Sequence, residues 1–128
     1  MILDTHAWLW YYLGDVRLSQ RARAMIEAPS QVKYISPASY WELAIKVSAG
    51  KYVLNETFAD LIQHSIIDNG FRILSIDPRH AVQVAALPYT PEHKDPFDRL
   101  LVSQALVEGI PIVSGDEALD AYGVTRLW

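Results

Sequence analysis

The sequence predicts an α/β fold, a central parallel sheet of four to five strands covered by helices on both faces. Three observations point there. Short apolar runs alternate along the chain with apolar periodicities of helical length. Several of the helical segments open on a capping residue followed by proline. No repeat, low-complexity tract or Gly/Ser linker breaks the alternation, and 128 residues suffice for one domain, expected to span residues 1–128.

Met1-Ile2-Leu3 reads as the end of a buried strand, followed by a helix carrying Trp8, Leu9 and Tyr12. Leu18 to Ala28 is a second helix with Ser19 as its N-cap, and Val32 to Ile35 fits a strand. Ser36 then caps, Pro37 takes the first helical position, and apolar residues run to Val47 before Gly50 ends a helix that carries Glu42. Thr57 to Asp68 reads as another helix, with Thr57 and Asp60 in capping positions and Asn69-Gly70 closing it. Phe71 to Ile76 alternates into a strand, and Asp77-Pro78 starts a helix running to about Ala86. After a loop from Leu87 to Lys94, Asp95-Pro96 opens a helix that ends at Gly109. Pro111-Ile112-Val113-Ser114 is a short buried strand, and Val124 to Trp128 a candidate for the last.

With 51% hydrophobic and 20% charged residues, the chain has ordinary globular composition. No stretch approaches the roughly 18 uncharged apolar residues of a membrane span. Cysteine is absent, and Met1-Ile2-Leu3-Asp4 lacks the basic and apolar regions of a secretory signal, so the expectation is a cytoplasmic protein. A net charge of -4 argues against a plain basic nucleic-acid surface. It leaves room for a nuclease that works through cations, because bound metals reverse the local field.

In open α/β sheets, ligands bind beyond the carboxyl ends of the strands. Asp4 directly follows the first strand, and Asp116 follows Ile112-Val113 after a Ser-Gly pair that gives the backbone room to turn. Each could also be the N-cap of the next helix, a reading that is weaker for Asp4, where Thr5 could cap as well and the acid sits tightly against the buried strand. Asp95 and Asp98 flank Pro96-Phe97, one as cap and one in the first turn, where the helix dipole favours an acid. Phe97, Leu100, Leu101 and Ala105 make an apolar stripe that buries this helix and holds its acids near the sheet. Glu42 lies among Tyr40, Trp41, Leu43, Ala44, Ile45 and Val47, unlike a solvated face residue. Buried carboxylates that converge imply cations or shifted pKa values. Without cysteine or an HExxH-like histidine pair, zinc is disfavoured, and Mg²⁺ or Mn²⁺ fits carboxylate oxygens.

Four segments in order, Leu3-Asp4-Thr5-His6-Ala7-Trp8-Leu9-Trp10, Ser39-Tyr40-Trp41-Glu42-Leu43-Ala44-Ile45-Lys46, His93-Lys94-Asp95-Pro96-Phe97-Asp98-Arg99-Leu100-Leu101 and Val113-Ser114-Gly115-Asp116, resemble the PIN domain. More narrowly, they resemble the toxin of type II toxin-antitoxin pairs of the VapBC kind. The resemblance implies a Rossmann-like three-layer sandwich and Mg²⁺- or Mn²⁺-dependent endoribonuclease activity. By position, Asp4, Glu42 and Asp98 match the core acids and Asp116 the fourth, although Glu117 beside it could serve instead. Asp95 matches an accessory acid and could simply cap its helix, and Thr5 matches a hydroxyl residue able to bond a metal-bound water. The implied partners are RNA, a cognate antitoxin and a second copy of the chain. An antitoxin arginine placed among the acids would compete with the cations.

Lys46, Lys51, Lys94 and Arg99 could pair with RNA phosphates, Arg99 best because it adjoins Asp98, though a solvated face or local ion pair is the plainer reading of each. His93 could also meet a phosphate, while His6, His64 and His80 read as structural. Trp8, Trp10, Tyr11, Tyr12, Tyr40 and Trp41 could stack bases, but rings at helical spacing read first as core or protein interface. The surplus of Trp8, Trp10, Tyr11, Tyr12 and Trp41 for a domain this small is the reason to expect a homodimer. Two other functions compete. A haloacid-dehalogenase-type phosphatase needs a second Asp two residues after the first, where this chain has His6. A non-catalytic RNA-binding or protein-interaction module of the same fold is disfavoured by the presence of all four acids.

Overall fold

The strands are shorter than the apolar runs that announce them. In the computed structural model, which describes residues 1–89 and 94–128, the first half of the chain forms β1 (Ile2–Leu3), α1 (Thr5–Leu13), α2 (Gln20–Glu27), β2 (Tyr34–Ile35) and α3 (Pro37–Ser48). The second forms α4 (Phe58–Ile62), β3 (Arg72–Ile73), α5 (Pro78–Ala86), α6 (Pro96–Glu108), β4 (Ile112–Val113) and β5 (Arg126–Leu127). The sheet order is β3-β2-β1-β4-β5, and every neighbouring pair is parallel. From β1 the chain builds outward through β2 to β3, then α5 and α6 carry it back across to β4 on the other side of β1. That reversal of direction puts a switch point between β1 and β4, where the carboxyl ends of the strands open a crevice.

Strand alternation sorts the core into two faces. Leu3 and Val113 pack with Ala7, Trp8, Ile26 and Leu43 on one side; Ile2 and Ile112 pack with Leu101, Val102, Ala105 and Leu119 on the other. Sheet and two helical layers make the PIN-like α/β sandwich that the sequence predicts. The cap-proline signatures are exact landmarks, since α3, α5 and α6 begin at Pro37, Pro78 and Pro96 behind caps Ser36, Asp77 and Asp95.

Two elements differ from the reading of the sequence, and so does the placement of the aromatic residues. The helix expected over Thr57–Asp68 is α-helical only to Ile62 and widens into a π-helical turn over Gln63–Asp68. The side-chain amide of Asn69 donates to the carbonyls of His64 and Ser65 there, at 2.8 and 3.4 Å. A 3-10 helix over Glu117–Tyr122, capped by Asp116, was not expected. The aromatic surplus is mostly absorbed by the fold: Trp8 is fully buried, and Trp10, Tyr11 and Tyr12 pack half-buried against the core. Of the five rings behind the dimer expectation only Trp41 is exposed, at 62%. No described helix is long and apolar enough to cross a membrane.

Candidate active site

Asp4, Glu42, Asp95, Asp98 and Asp116 all line one cavity of about 640 Å³ at the carboxyl edge of the sheet. Asp4 ends β1 and Asp116 follows β4, the two strands at the switch point. Glu42 reaches in from α3, and Asp95 and Asp98 from the start of α6. Capping and cavity-lining coexist. The Oδ1 atoms of Asp4, Asp95 and Asp116 accept from the amides of Ala7, Phe97 and Ala118 at 2.6, 2.8 and 2.9 Å. A cap fixes one carboxylate oxygen and so orients the group, which makes capping a way of aiming these acids.

Asp4 and Glu42 are buried, at 7% and 8% exposure. Glu42 accepts from the Thr5 hydroxyl through Oε2 and from the Lys46 ammonium through Oε1, both at 2.6 Å. The Thr5 hydroxyl is thus directed at Glu42 and holds its orientation across the α1–α3 junction.

Burial pushes the Asp4 carboxyl up from its ordinary value, against the opposing pull of the Ala7 amide and the Ser114 hydroxyl. Asp98 is pushed up to about 7, first by burial and then by the charges of Asp95, Asp4, Glu42 and Asp116. Four acids acting electrostatically on the fifth show how tightly the group converges.

The remaining expected residues fall differently. Lys46 lines the cavity. Arg99 does not: its guanidinium donates to the carbonyls of Pro88, Val84 and Leu87 at 2.8, 3.2 and 3.4 Å. It closes the C-terminus of α5. His93 lies outside the described residues. Glu117 is not among the cavity's lining residues, while Asp116 is. His6, read as structural, is exposed and lines the cavity with Trp10, Arg17, Gly115 and Trp128. Trp128 gave no local signal in the sequence, because only the pairing of β5 with β4 brings it beside the Asp116 loop. A Cβ at Gly115 would meet its indole at 3.0 Å, so glycine there admits the ring.

A second cluster lies apart from this cavity. Asp77, His80 and Glu108 bring possible metal-ligating atoms within 4.8 Å of one another. His80 Nδ1 accepts from the Asp77 amide at 3.0 Å and Nε2 faces Glu108 at 3.1 Å. Arg79 bonds both carboxylates, at 2.7 and 2.9 Å. A ring nitrogen that already accepts a backbone N–H has no lone pair for a metal, and the guanidinium already supplies the counter-charge.

Fold and cavity together define a doubly wound α/β protein with an acidic site at its switch point. The family model of the PIN domain matches residues 1–124, and the chain belongs to that family, whose members are generally nucleases. No curated protein matches the sequence. Among solved structures, the chain is similar to VapBC2 from Rickettsia felis bound to a DNA fragment from its promoter, with TM-score 0.72 and 15% identity over 98% of this chain and 95% of that one. FitAcB from Neisseria gonorrhoeae gives TM-score 0.70 and 20% identity over 98% and 94%. FitAB bound to an IR36 DNA fragment gives 0.68 and 17% over 98% and 92%. At such identities the likeness is one of fold.

Proposed function

We propose that the chain is a Mg²⁺- or Mn²⁺-dependent endoribonuclease that cuts RNA phosphodiester bonds as the toxin of a toxin-antitoxin pair. The observation that carries this reading is the cavity that five carboxylates line together with Lys46 and Arg17. Hard oxygen donors in that number suit Mg²⁺ or Mn²⁺ better than zinc or copper. A carboxyl whose pKa is pushed up to about 7 by burial and by its acidic neighbours is also one that a cation would ionise. Bound there, such ions would hold the scissile phosphate, acidify a water and stabilise the leaving oxygen.

Asp4, Glu42, Asp98 and Asp116 are the proposed metal-holding and catalytic acids. Thr5 orients Glu42, Asp95 sets the first turn of α6 that presents Asp98, and Lys46 lies at the cavity wall within reach of a phosphate. The fold likeness to VapBC2 and FitAcB, joined to the sequence resemblance, supports the toxin part. On this reading the chain works in the cytoplasm as one domain, pairs with a second copy and is silenced by a cognate antitoxin. Exposed Trp41 and Ile45 on α3 support a contact surface there.

The test is incubation of the purified chain with RNA, with and without Mg²⁺ or Mn²⁺. Cleavage is expected only with the ions and is abolished by chelation. Metal binding without cleavage would favour the non-catalytic module instead. Expression alone should arrest a bacterial host and co-expression of the antitoxin relieve it; harmless accumulation would overturn the toxin part and leave the nuclease part standing. A monomer in light scattering at micromolar concentration would overturn the dimer.

A further inference from the structure

Helices α5 and α6 are fastened to each other at both ends. At one end, Arg79 and His80 near the start of α5 meet Glu108, the last residue of α6, at 2.9 and 3.1 Å. At the other, Arg99 at the start of α6 donates to the carbonyls of Val84, Leu87 and Pro88, where α5 finishes. The same guanidinium lies 5.9 Å from the centre of the Tyr122 ring and 3.4 Å from its hydroxyl. Tyr122 is buried and ends the 3-10 helix that Asp116 caps. Asp98, the residue before Arg99, and Asp116 both line the acidic cavity.

We propose that Arg99 is a positioning residue of the acidic site, a guanidinium that sets where Asp98 and Asp116 stand relative to each other. The inference rests on the metal-site reading above and deepens it by naming what holds two of the acids together. Those acids come from separate segments, one from the start of α6 and the other from the turn after β4. Arg99 joins both segments: it adjoins Asp98 in the chain, and through Tyr122 it touches the far end of the short helix that Asp116 opens. The two carboxylates are near enough for the charge of Asp116 to act on Asp98, and like charges drive their carriers apart. Oxygens that share a small divalent ion must keep near-octahedral positions at about 2.0 to 2.1 Å from it, which leaves little room for drift. A planar guanidinium with five donors can span several carbonyls and a hydroxyl at once, where an ammonium cannot. Arg99 does not line the cavity, so it acts through the segments it joins and not by touching an ion or a phosphate. The staple at Glu108 ties the same two helices but lies about 15 Å along the axis from Asp98. The molecule thus carries its own control.

The test compares Arg99→Met, Arg99→Lys and His80→Ala in the full chain, at a temperature where melting curves show each to be folded. Mn²⁺ affinity is read by calorimetry without RNA, and the rise in melting temperature on adding Mn²⁺ gives a second reading. Arg99→Met should weaken Mn²⁺ binding by about ten-fold or more. Arg99→Lys keeps the charge and loses the fork, so binding should still be weaker by about five-fold. His80→Ala loosens the same helix pair at the far end and should leave Mn²⁺ affinity within about two-fold. On RNA at saturating Mn²⁺, Arg99→Met should lower kcat by about ten-fold and leave KM within about two-fold, since its guanidinium does not touch the substrate. Equal losses of Mn²⁺ affinity in Arg99→Met and His80→Ala would reduce Arg99 to general support of the fold and overturn the proposal. Full recovery in Arg99→Lys would overturn it too, because charge alone would then suffice, as would an Arg99→Met that binds Mn²⁺ like the wild type. If Arg99→Met fails to fold, Arg99→Lys against His80→Ala decides on the same criterion. A wild type that binds Mn²⁺, shows these variant effects on binding and leaves RNA intact overturns the nuclease reading alone; one that binds no Mn²⁺ overturns the metal-site reading and this proposal with it.

Discussion

Carboxylates gather in two places in this molecule, at the carboxyl edge of the sheet and across the α5–α6 junction. At the junction, Asp77 and Glu108 share Arg79, and buried His80 completes the ring of hydrogen bonds. The Arg79 guanidinium beside Asp77 holds its carboxyl below the usual range. At the sheet edge, Asp98 is driven the other way, to about 7, by burial and by four like charges. The tighter cluster is the one bridged by a guanidinium. Closeness of acids therefore does not set the direction of their titration; burial and the sign of the neighbouring charges do. Acids that raise one another's pKa lower the stability of the metal-free protein at neutral pH, a cost found where chemistry needs such groups.

The largest expected effect separates the two clusters by activity. Asp4→Asn or Asp98→Asn removes a charge from the unbalanced group at nearly constant shape, and metal-dependent RNA cleavage should fall by about a hundred-fold or more. Asp77→Asn or Glu108→Gln should leave cleavage by the folded protein within about two-fold. Rates on one RNA substrate, with circular dichroism to confirm folding, decide the matter; the opposite ranking would move the metal to the junction.

Stability should rank the clusters in reverse. His80 is 1% exposed and bonded at both ring nitrogens, so His80→Ala leaves a cavity and strands the Asp77 amide, costing about 2 to 4 kcal/mol in urea denaturation. Asp98→Asn should instead stabilise the metal-free chain at pH 7.5, on the order of 1 to 2 kcal/mol, since each pKa unit is worth about 1.4 kcal/mol before solvent screening. A destabilising Asp98→Asn would mean that the fold favours the ionised carboxylate.

The fold was legible because it is written in local signals. Ser36-Pro37, Asp77-Pro78 and Asp95-Pro96 each set a helix start, and apolar runs at Ile2-Leu3 and Ile112-Val113 mark the central strands. Four of the five acids that line the cavity could be singled out for the same reason, each standing at a strand end or a helix start, while Glu42, in the middle of α3, stood out by its apolar neighbours. The aromatic residues that line it could not. Helix α1, Thr-His-Ala-Trp-Leu-Trp-Tyr-Tyr-Leu, is apolar nearly all round, so no stripe tells that Trp8 faces the core and Trp10 the cavity. Trp128 and Arg17 come to Trp10 through tertiary packing. The guanidinium of Arg99 likewise turns to the end of α5, a choice invisible beside Asp98 in the sequence. The 3-10 helix after Asp116 is a single short element with no periodicity to detect.

The pH dependence sharpens the contrast further. Asp98 has its folded pKa raised above the ordinary 3.8 to about 7, so the folded state keeps a proton that the unfolded chain has already lost. Stability from this site is fully present below about pH 4 and is lost as pH rises through 7. The metal-free wild type should therefore melt at a lower temperature at pH 7.5 than at pH 5.5, and Asp98→Asn should flatten that limb. Asp77 has a lowered pKa, so its contribution runs in the opposite sense, present above the ordinary carboxylate value and lost only in acid. A wild type whose melting temperature rises between pH 5.5 and 7.5 would contradict the assignment of Asp98 as the dominant titrating group.

Asp95 tests the smallest effect, because it stands in both kinds of wiring at once. Its Oδ1 caps α6 through the Phe97 and Asp98 amides, as a structural acid would, and after burial its charge is the leading cause of the raised Asp98 pKa. Asn caps a helix about as well as Asp, so Asp95→Asn separates the two jobs. The cap should survive, with stability at pH 7.5 changing by no more than about 0.5 kcal/mol. Carbon-detected NMR titration of the Asp98 carboxyl should show its pKa move down, and the stability limb should shift to lower pH with it. Asp95→Ala loses the cap as well and should cost about 1 kcal/mol. If Asp95 acts through Asp98 alone, Asp95→Asn should change cleavage by less than about ten-fold. A loss as deep as that of Asp98→Asn would make Asp95 a direct partner of the cations, and the cap a secondary use of the same carboxylate.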